Sequence, residues 1–286
     1  MRTLLTALTL GVSTPALASP DLIWRDRFSS EQREALSSWI VEAHGGLVRL
    51  IGDMPLHYSA QIHRARGGRE PVPWAETRKH RGRTVHFHVV PEFPLDAFRR
   101  DWTASNEIVH LLFPYIGDRG RWFAEGIASY LQYSVMVAAG VIDYEELLTR
   151  LRERLERAAS MRHLDDRSVV DIARRMRVRG ANLRVYWGGA AYFLHVDRQL
   201  HEQTGQRLVD VVSRYVQCCS SLWGQGPEQL IRTLDEISGT EIFRRTAEKT
   251  VRRPGFPATA EALDWLAAQP PMRVRSVDSN GSRTAG

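Results

Sequence analysis

The sequence predicts an α+β fold, and three observations predict it. Apolar residues recur at helical spacing near the start, the period then shortens to that of strands, and after Pro94 nearly every segment returns to helical spacing. A small helix-and-strand part followed by a mainly helical part places any cleft between the two. The 286 residues support one large domain or two modest ones. At 43% hydrophobic and 25% charged, the composition excludes a disordered chain, a disulfide-stapled miniature and a collagen-like repeat. No repeat of about 20–50 residues recurs, which argues against a solenoid.

Residues 1–18 have the pattern of a cleaved signal peptide. Arg2 gives a positive start, Thr3 to Val12 are largely apolar, and Pro15 precedes Ala16-Leu17-Ala18, a small-x-small cleavage pattern. The apolar run is too short to span a bilayer, and no later stretch reaches about 18 apolar residues. The expectation is an exported, secreted or periplasmic protein with no stable membrane insertion. Export implies an oxidising compartment, yet Cys218 and Cys219 are the only cysteines and are adjacent. Buried thiols and a vicinal bridge both remain open, and neither staples a long loop.

Residues 19–100 form the first part. Leu36, Ile40, Ala43, Leu47 and Leu50 recur at helical spacing over 30–51, with Ser29 or Ser30 as caps. His57 to Ile62 and Thr84 to Val90 read as strands, separated by a loop carrying Gly67-Gly68 and Pro71–Pro73. Residues 101–260 form the helical part. Helices are expected at 101–116, 121–139, 143–159, 166–175, 184–204, 206–219, 226–236 and 239–249, punctuated by Gly140, Gly180, Gly205 and Gly239. Residues 261–286, rich in Pro, Gly and Ser beyond Ala267, read as a largely disordered tail.

The formal charge is +6, but only Lys79 and Lys249 among the 39 basic residues are lysine. The arginines are spread along the chain among 33 acids, whereas a nucleic-acid footprint would be clustered. Nucleic acid is therefore not an expected partner.

The chemistry is concentrated in Asn106-Glu107-Ile108-Val109-His110 and Trp122-Phe123-Ala124-Glu125-Gly126-Ile127-Ala128-Ser129-Tyr130. On a helix, positions 106 and 110 lie one turn apart on one face, the spacing at which two side chains grip one metal ion. A glutamate directly after the first reaches a metal-bound water as general base. Ser129, one turn beyond Glu125, either hydrogen-bonds a metal ligand or satisfies its own backbone, and Trp122 reads as packing.

These segments resemble the gluzincin metallopeptidases, most closely the glycyl aminopeptidase family, whose helix carries His-Glu-x-x-His followed by Trp-x-x-Glu-Gly-x-x-x-Tyr. Tyr186-Trp187-Gly188-Gly189-Ala190-Ala191 resembles the family's Tyr-x-Lys-Gly segment, and Leu230 to Arg244 its closing helix-turn-helix. The likeness runs in family order over roughly 85–250. It implies a zincin-like, thermolysin-like fold with the active-site cleft between the two parts. It also implies zinc as cofactor, peptide or protein as substrate, His110 and Glu125 as metal ligands, Glu107 as catalytic base and Tyr186 as oxyanion donor.

Two positions depart from the pattern. Asn106 stands where the family has histidine, and a carboxamide is a weak or lost zinc ligand. Gly188 stands where the family has lysine. His86 and His88 on the preceding strand read as solvated or cross-strand partners rather than replacement ligands. Two functions follow: an exported zinc metallopeptidase that tolerates Asn106, or a catalytically inactive homologue that holds peptide or a partner protein in the retained cleft. Exopeptidase and endopeptidase action are not separable at this level.

Overall fold

The computed structural model describes residues 19–52, 57–79, 82–176, 179–220 and 226–271. The expected signal peptide and the end of the expected tail, 272–286, lie outside the described residues. Among the described residues there are four strands: β1 (Asp21–Trp24), β2 (Ser59–Arg64), β3 (Trp74–Arg78) and β4 (Thr84–Val89). The helices are α1 (Ser30–Ile51), α2 (Leu95–Arg100), α3 (Thr103–His110), α4 (Arg121–Ala138), α5 (Tyr144–Ala159), α6 (Val169–Ala173), α7 (Ala181–Thr204), α8 (Leu208–Cys218), α9 (Pro227–Ser238), α10 (Ile242–Lys249) and α11 (Ala260–Ala267). The architecture is mixed α+β. Among the described residues no helix is long and apolar enough to cross a membrane.

The helix α1 begins where a capping box satisfies its first amides. Ser29 Oγ accepts from the Gln32 N–H and the Gln32 side chain accepts from the Ser29 N–H. Its buried stripe, Leu36, Ile40, Leu47 and Leu50, carries the helical period read from the sequence. The sheet has strand order β1-β2-β4-β3, with β3 antiparallel on one edge and the others parallel. Alternation sends Ala60, Ile62, Val85 and Phe87 to one face, where all are fully buried. Trp39 of α1 meets Phe87 edge-on at 5.1 Å, so sheet and helices share one core. Burying a side chain of that size contributes about 1.5–3 kcal/mol.

The central packing is α4 against α7, and it depends on two glycines. A Cβ on Gly126 would lie 2.5 Å from the Gly189 backbone, and one on Gly189 would lie 2.1 Å from the Trp122 carbonyl. The two backbones touch because neither residue has a side chain. Gly188 is constrained by a side chain instead, since a Cβ there would meet a Val169 methyl at 2.6 Å. A lysine at 188 would require Val169 to shift.

Several elements differ from expectation for identifiable reasons. The helix expected over 101–116 starts at Thr103, whose N–H bonds Asp101 Oδ1, and ends at His110. Pro114 lacks the N–H that would extend it. The helix α2, immediately after Pro94, and the short strands β1 and β3 were not expected. The helix α11 occupies the first part of the expected 261–286 tail, where Ala262, Leu263 and Leu266 are buried. Cys218 and Cys219 are bonded to each other, which settles the alternative left open by the sequence.

Candidate active-site cleft

A cavity of about 900 Å³ opens between β3, α3, α4 and α7. The strand brings Glu76, Thr77 and then Lys79 to its wall; α3 brings Asn106, Glu107 and His110; α4 brings Arg121 and Glu125; α7 brings Tyr186. All five residues singled out by sequence therefore face one cavity. Ser129 is buried and does not line it, and Trp122 packs edge-on against Phe123 and Tyr192. His86 and His88 also stay out of it, on the other face of the sheet beside His63.

Each side chain is held by its neighbours. Glu107 Oε2 accepts from Thr77 Oγ1 at 2.7 Å, and the same hydroxyl also bonds the Glu107 carbonyl at 2.9 Å, which fastens the sheet edge to α3. Burial pushes the Glu107 carboxyl above its usual range, with His110 and the Thr77 bond working the other way. His110 Nε2 lies 3.4 Å from Glu125 Oε2. Burial opposes a charge on that imidazole, but Glu125, by charge and hydrogen bond, together with Glu107, holds its pKa above the ordinary value. Burial first, then the nearby Glu125 charge, raises the pKa of the Tyr186 hydroxyl well above normal.

The fit to zinc can be judged from these donors. Two ligands each about 2.0–2.1 Å from one zinc ion in tetrahedral geometry lie about 3.4 Å apart. His110 and Glu125 have that separation. The third position does not follow. Asn106 is buried, and its Nδ2 donates to Gln132 Oε1 at 2.9 Å, tying residue 106 to α4. Among the described residues no three His, Cys, Asp or Glu side chains converge on a point. A catalytic zinc takes three protein ligands, so the set here is one short and does not fit it.

Thr77, Lys79 and Gln132, like Glu76 and Arg121 on the cavity wall, were not singled out from sequence. Thr77 and Lys79 arrive on or just after a strand that was not anticipated. Lys79 did carry a signal, as one of two lysines in an arginine-rich chain.

Residues 116–192 match the family model described as M61 glycyl aminopeptidase. The match includes Glu125 and Tyr186 and begins after Asn106, Glu107 and His110. No curated protein matches the chain significantly. Among solved structures, an aminopeptidase N family protein from Idiomarina loihiensis aligns with a TM-score of 0.61 at 15% identity, covering 85% of this chain and 46% of that one. An M1 zinc metallopeptidase from Deinococcus radiodurans aligns with a TM-score of 0.51 at 13% identity, covering 82% and 48%. At these identities the structural likeness is one of fold. The family match thus covers about a quarter of the chain, and the structural matches show a fold shared with these metallopeptidases. The chain spans about half the length of the structures it matches.

Proposed function

We propose that this chain is an exported protein of metallopeptidase fold whose cleft binds extended peptide without zinc-dependent hydrolysis. One observation carries the reading: the Asn106 side chain is tied to Gln132, leaving His110 and Glu125 as a two-donor remnant. The resemblance places a histidine at 106, and on that basis the loss of one ligand separates a binding cleft from a catalytic one. The sheet edge supports the peptide half of the proposal. Among the described residues the strand β3 is paired only with β4, and its residues line the cavity, so an extended segment can add to the open edge through main-chain hydrogen bonds.

A second reading, hydrolysis of peptide bonds, is favoured by the 3.4 Å approach of His110 to Glu125 and by the buried Glu107 carboxyl beside them. In that reading Glu107 is the general base and Tyr186 the oxyanion donor. Elemental analysis and a peptide-library assay on the purified chain from Ser19 onward separate the two. The binding reading expects sub-stoichiometric zinc after gel filtration, no turnover, and saturable peptide binding. Stoichiometric zinc with turnover that Glu107→Gln abolishes establishes hydrolysis instead.

A further inference from the structure

Of the carboxylates that line the cleft, Glu76 pairs with Arg78 and Asp118 with Arg121, whereas Glu107 and Glu125 share the cavity with His110. Carboxylates so placed need a cation nearby or they take up protons. A bound metal ion is one way to supply that charge, and the donor set here is one ligand short of holding zinc.

Among the described residues three cations line the cavity: Arg78 and Arg121 are engaged by Glu76 and Asp118, which leaves Lys79 for Glu107 and Glu125. Lys79 directly follows β3, two residues after Thr77. Thr77 Oγ1 touches the Glu107 carboxylate. Lys79 lines the cavity together with Glu107, His110 and Glu125. Its amine feels both carboxylates, which favour its charge, and its charge in turn works against a second one on His110. Burial, aided by Arg83, lowers its pKa to about 8, which still leaves the amine mainly protonated at neutral pH. A lysine suits this place where an arginine would not, since an ammonium is a compact point charge on a flexible stem. The chain uses lysine at only one other position.

We propose that Lys79 is the resident cation of the cleft: its ammonium balances Glu107 and Glu125 in place of a metal ion and excludes divalent metal from the site. The inference rests on the two-donor reading above and adds a cause that residue 106 does not supply. Restoring the third ligand is then not enough to restore metal binding, because the ammonium still opposes a divalent ion.

The test is zinc affinity by isothermal titration for five chains: wild type, Lys79→Met, Asn106→His, Asn106→His/Lys79→Met and Asn106→His/Lys79→Arg. The expected result is weak zinc in wild type and Asn106→His. The Asn106→His/Lys79→Met chain gains about 10-fold or more in affinity over Asn106→His, and the Lys79→Arg version, which keeps the charge, gains nothing. Lys79→Met alone remains weak, with only two donors. Should Asn106→His fail to fold, judged by circular dichroism, the nearly isosteric Asn106→Asp supplies the third donor in the same comparison. Equal affinity for the single and Lys79→Met double variants overturns the role of Lys79 and leaves the two-donor reading standing. Tight, stoichiometric zinc in the wild type overturns both.

Discussion

Asn106 donates its side-chain amide to Gln132 Oε1 across 2.9 Å, and both side chains are buried where α3 meets α4. This bond fixes the direction of residue 106, one turn before His110, and links the walls of the cleft. It has a stability consequence that is independent of any metal. Gln132→Leu leaves the Asn106 amide without its partner in a buried position, which costs about 1–3 kcal/mol. Asn106→Ala strands the Gln132 carbonyl and costs a similar amount. Replacing both together should cost less than the sum of the two single changes, because each then removes a group already unpaired. Urea denaturation of the four chains gives the coupling directly.

The contact of Gly126 with Gly189 predicts a larger loss for a smaller change. Alanine at 126 puts a methyl group 2.5 Å from the Gly189 backbone, and a backbone cannot rotate away as a side chain can. The helices α4 and α7 must then part, costing about 1–3 kcal/mol or more. The same displacement separates Glu125, next to Gly126, from Tyr186, three residues before Gly189. Thermal melting reads the first effect. A fall in the tyrosine pKa at 186, followed by ultraviolet titration against a Tyr186→Phe control, reads the second.

Much of the cleft was legible in the sequence because it is local. Glu107 and His110 lie within one helical turn, and Glu125 and Tyr186 each stand a few residues before a glycine that brings α4 and α7 together. Those spacings survive in a linear reading. Thr77, Lys79 and Gln132 reach the site through tertiary contacts that no spacing encodes. The strand that delivers Thr77 was missed because Trp74, Glu76 and Arg78 on one side and only Ala75 and Thr77 on the other give little apolar alternation. The main helices were visible for the opposite reason: residues such as Leu36, Ile40 and Leu47 repeat a buried stripe over several turns. Helix ends were least legible, as at His110, where a proline four residues on decides the boundary.

Asp197 should be among the least replaceable residues outside the cleft. Its carboxylate is fully buried on α7 and accepts from the Tyr130 hydroxyl, the Leu208 N–H and the Arg207 guanidinium at 2.7–3.0 Å. Asp197→Ala removes four hydrogen bonds at once and leaves the Arg207 charge without its counter-ion. Breaking one side of a buried pair costs about 3–5 kcal/mol. Tyr130→Phe removes a single bond and should cost about 1–2 kcal/mol. Denaturant titration of the two variants should rank them in that order, and equal losses would mean that the carboxylate is satisfied by other groups.

The histidines on the open face of the sheet predict how stability depends on acid. The parallel register sets His63 beside His88 and Gln61 beside His86, so His63 stacks on His88 at 4.5 Å and its Nε2 lies 3.1 Å from His86 Nδ1. That hydrogen bond needs one ring to donate and the other to accept, so it is lost when both are fully protonated. Burial is the main cause holding all three below the ordinary value of 6.5, with Arg78 adding to it at each and a neighbouring histidine at His63 and His86, while Asp26 or Glu76 opposes. The folded chain therefore binds these protons less readily than the unfolded chain. Above pH 6.5 the three contribute their full stability, and as pH falls below it the unfolded state gains protons first and stability declines. His110 acts in the opposite sense, since its raised pKa gives stability that is lost as pH rises. The sheet contribution is isolated by comparing wild type with His63→Gln/His88→Gln. The wild-type melting temperature should fall more steeply between pH 7 and pH 5, and parallel profiles would show that these rings are as easily protonated in the folded protein as in the unfolded chain.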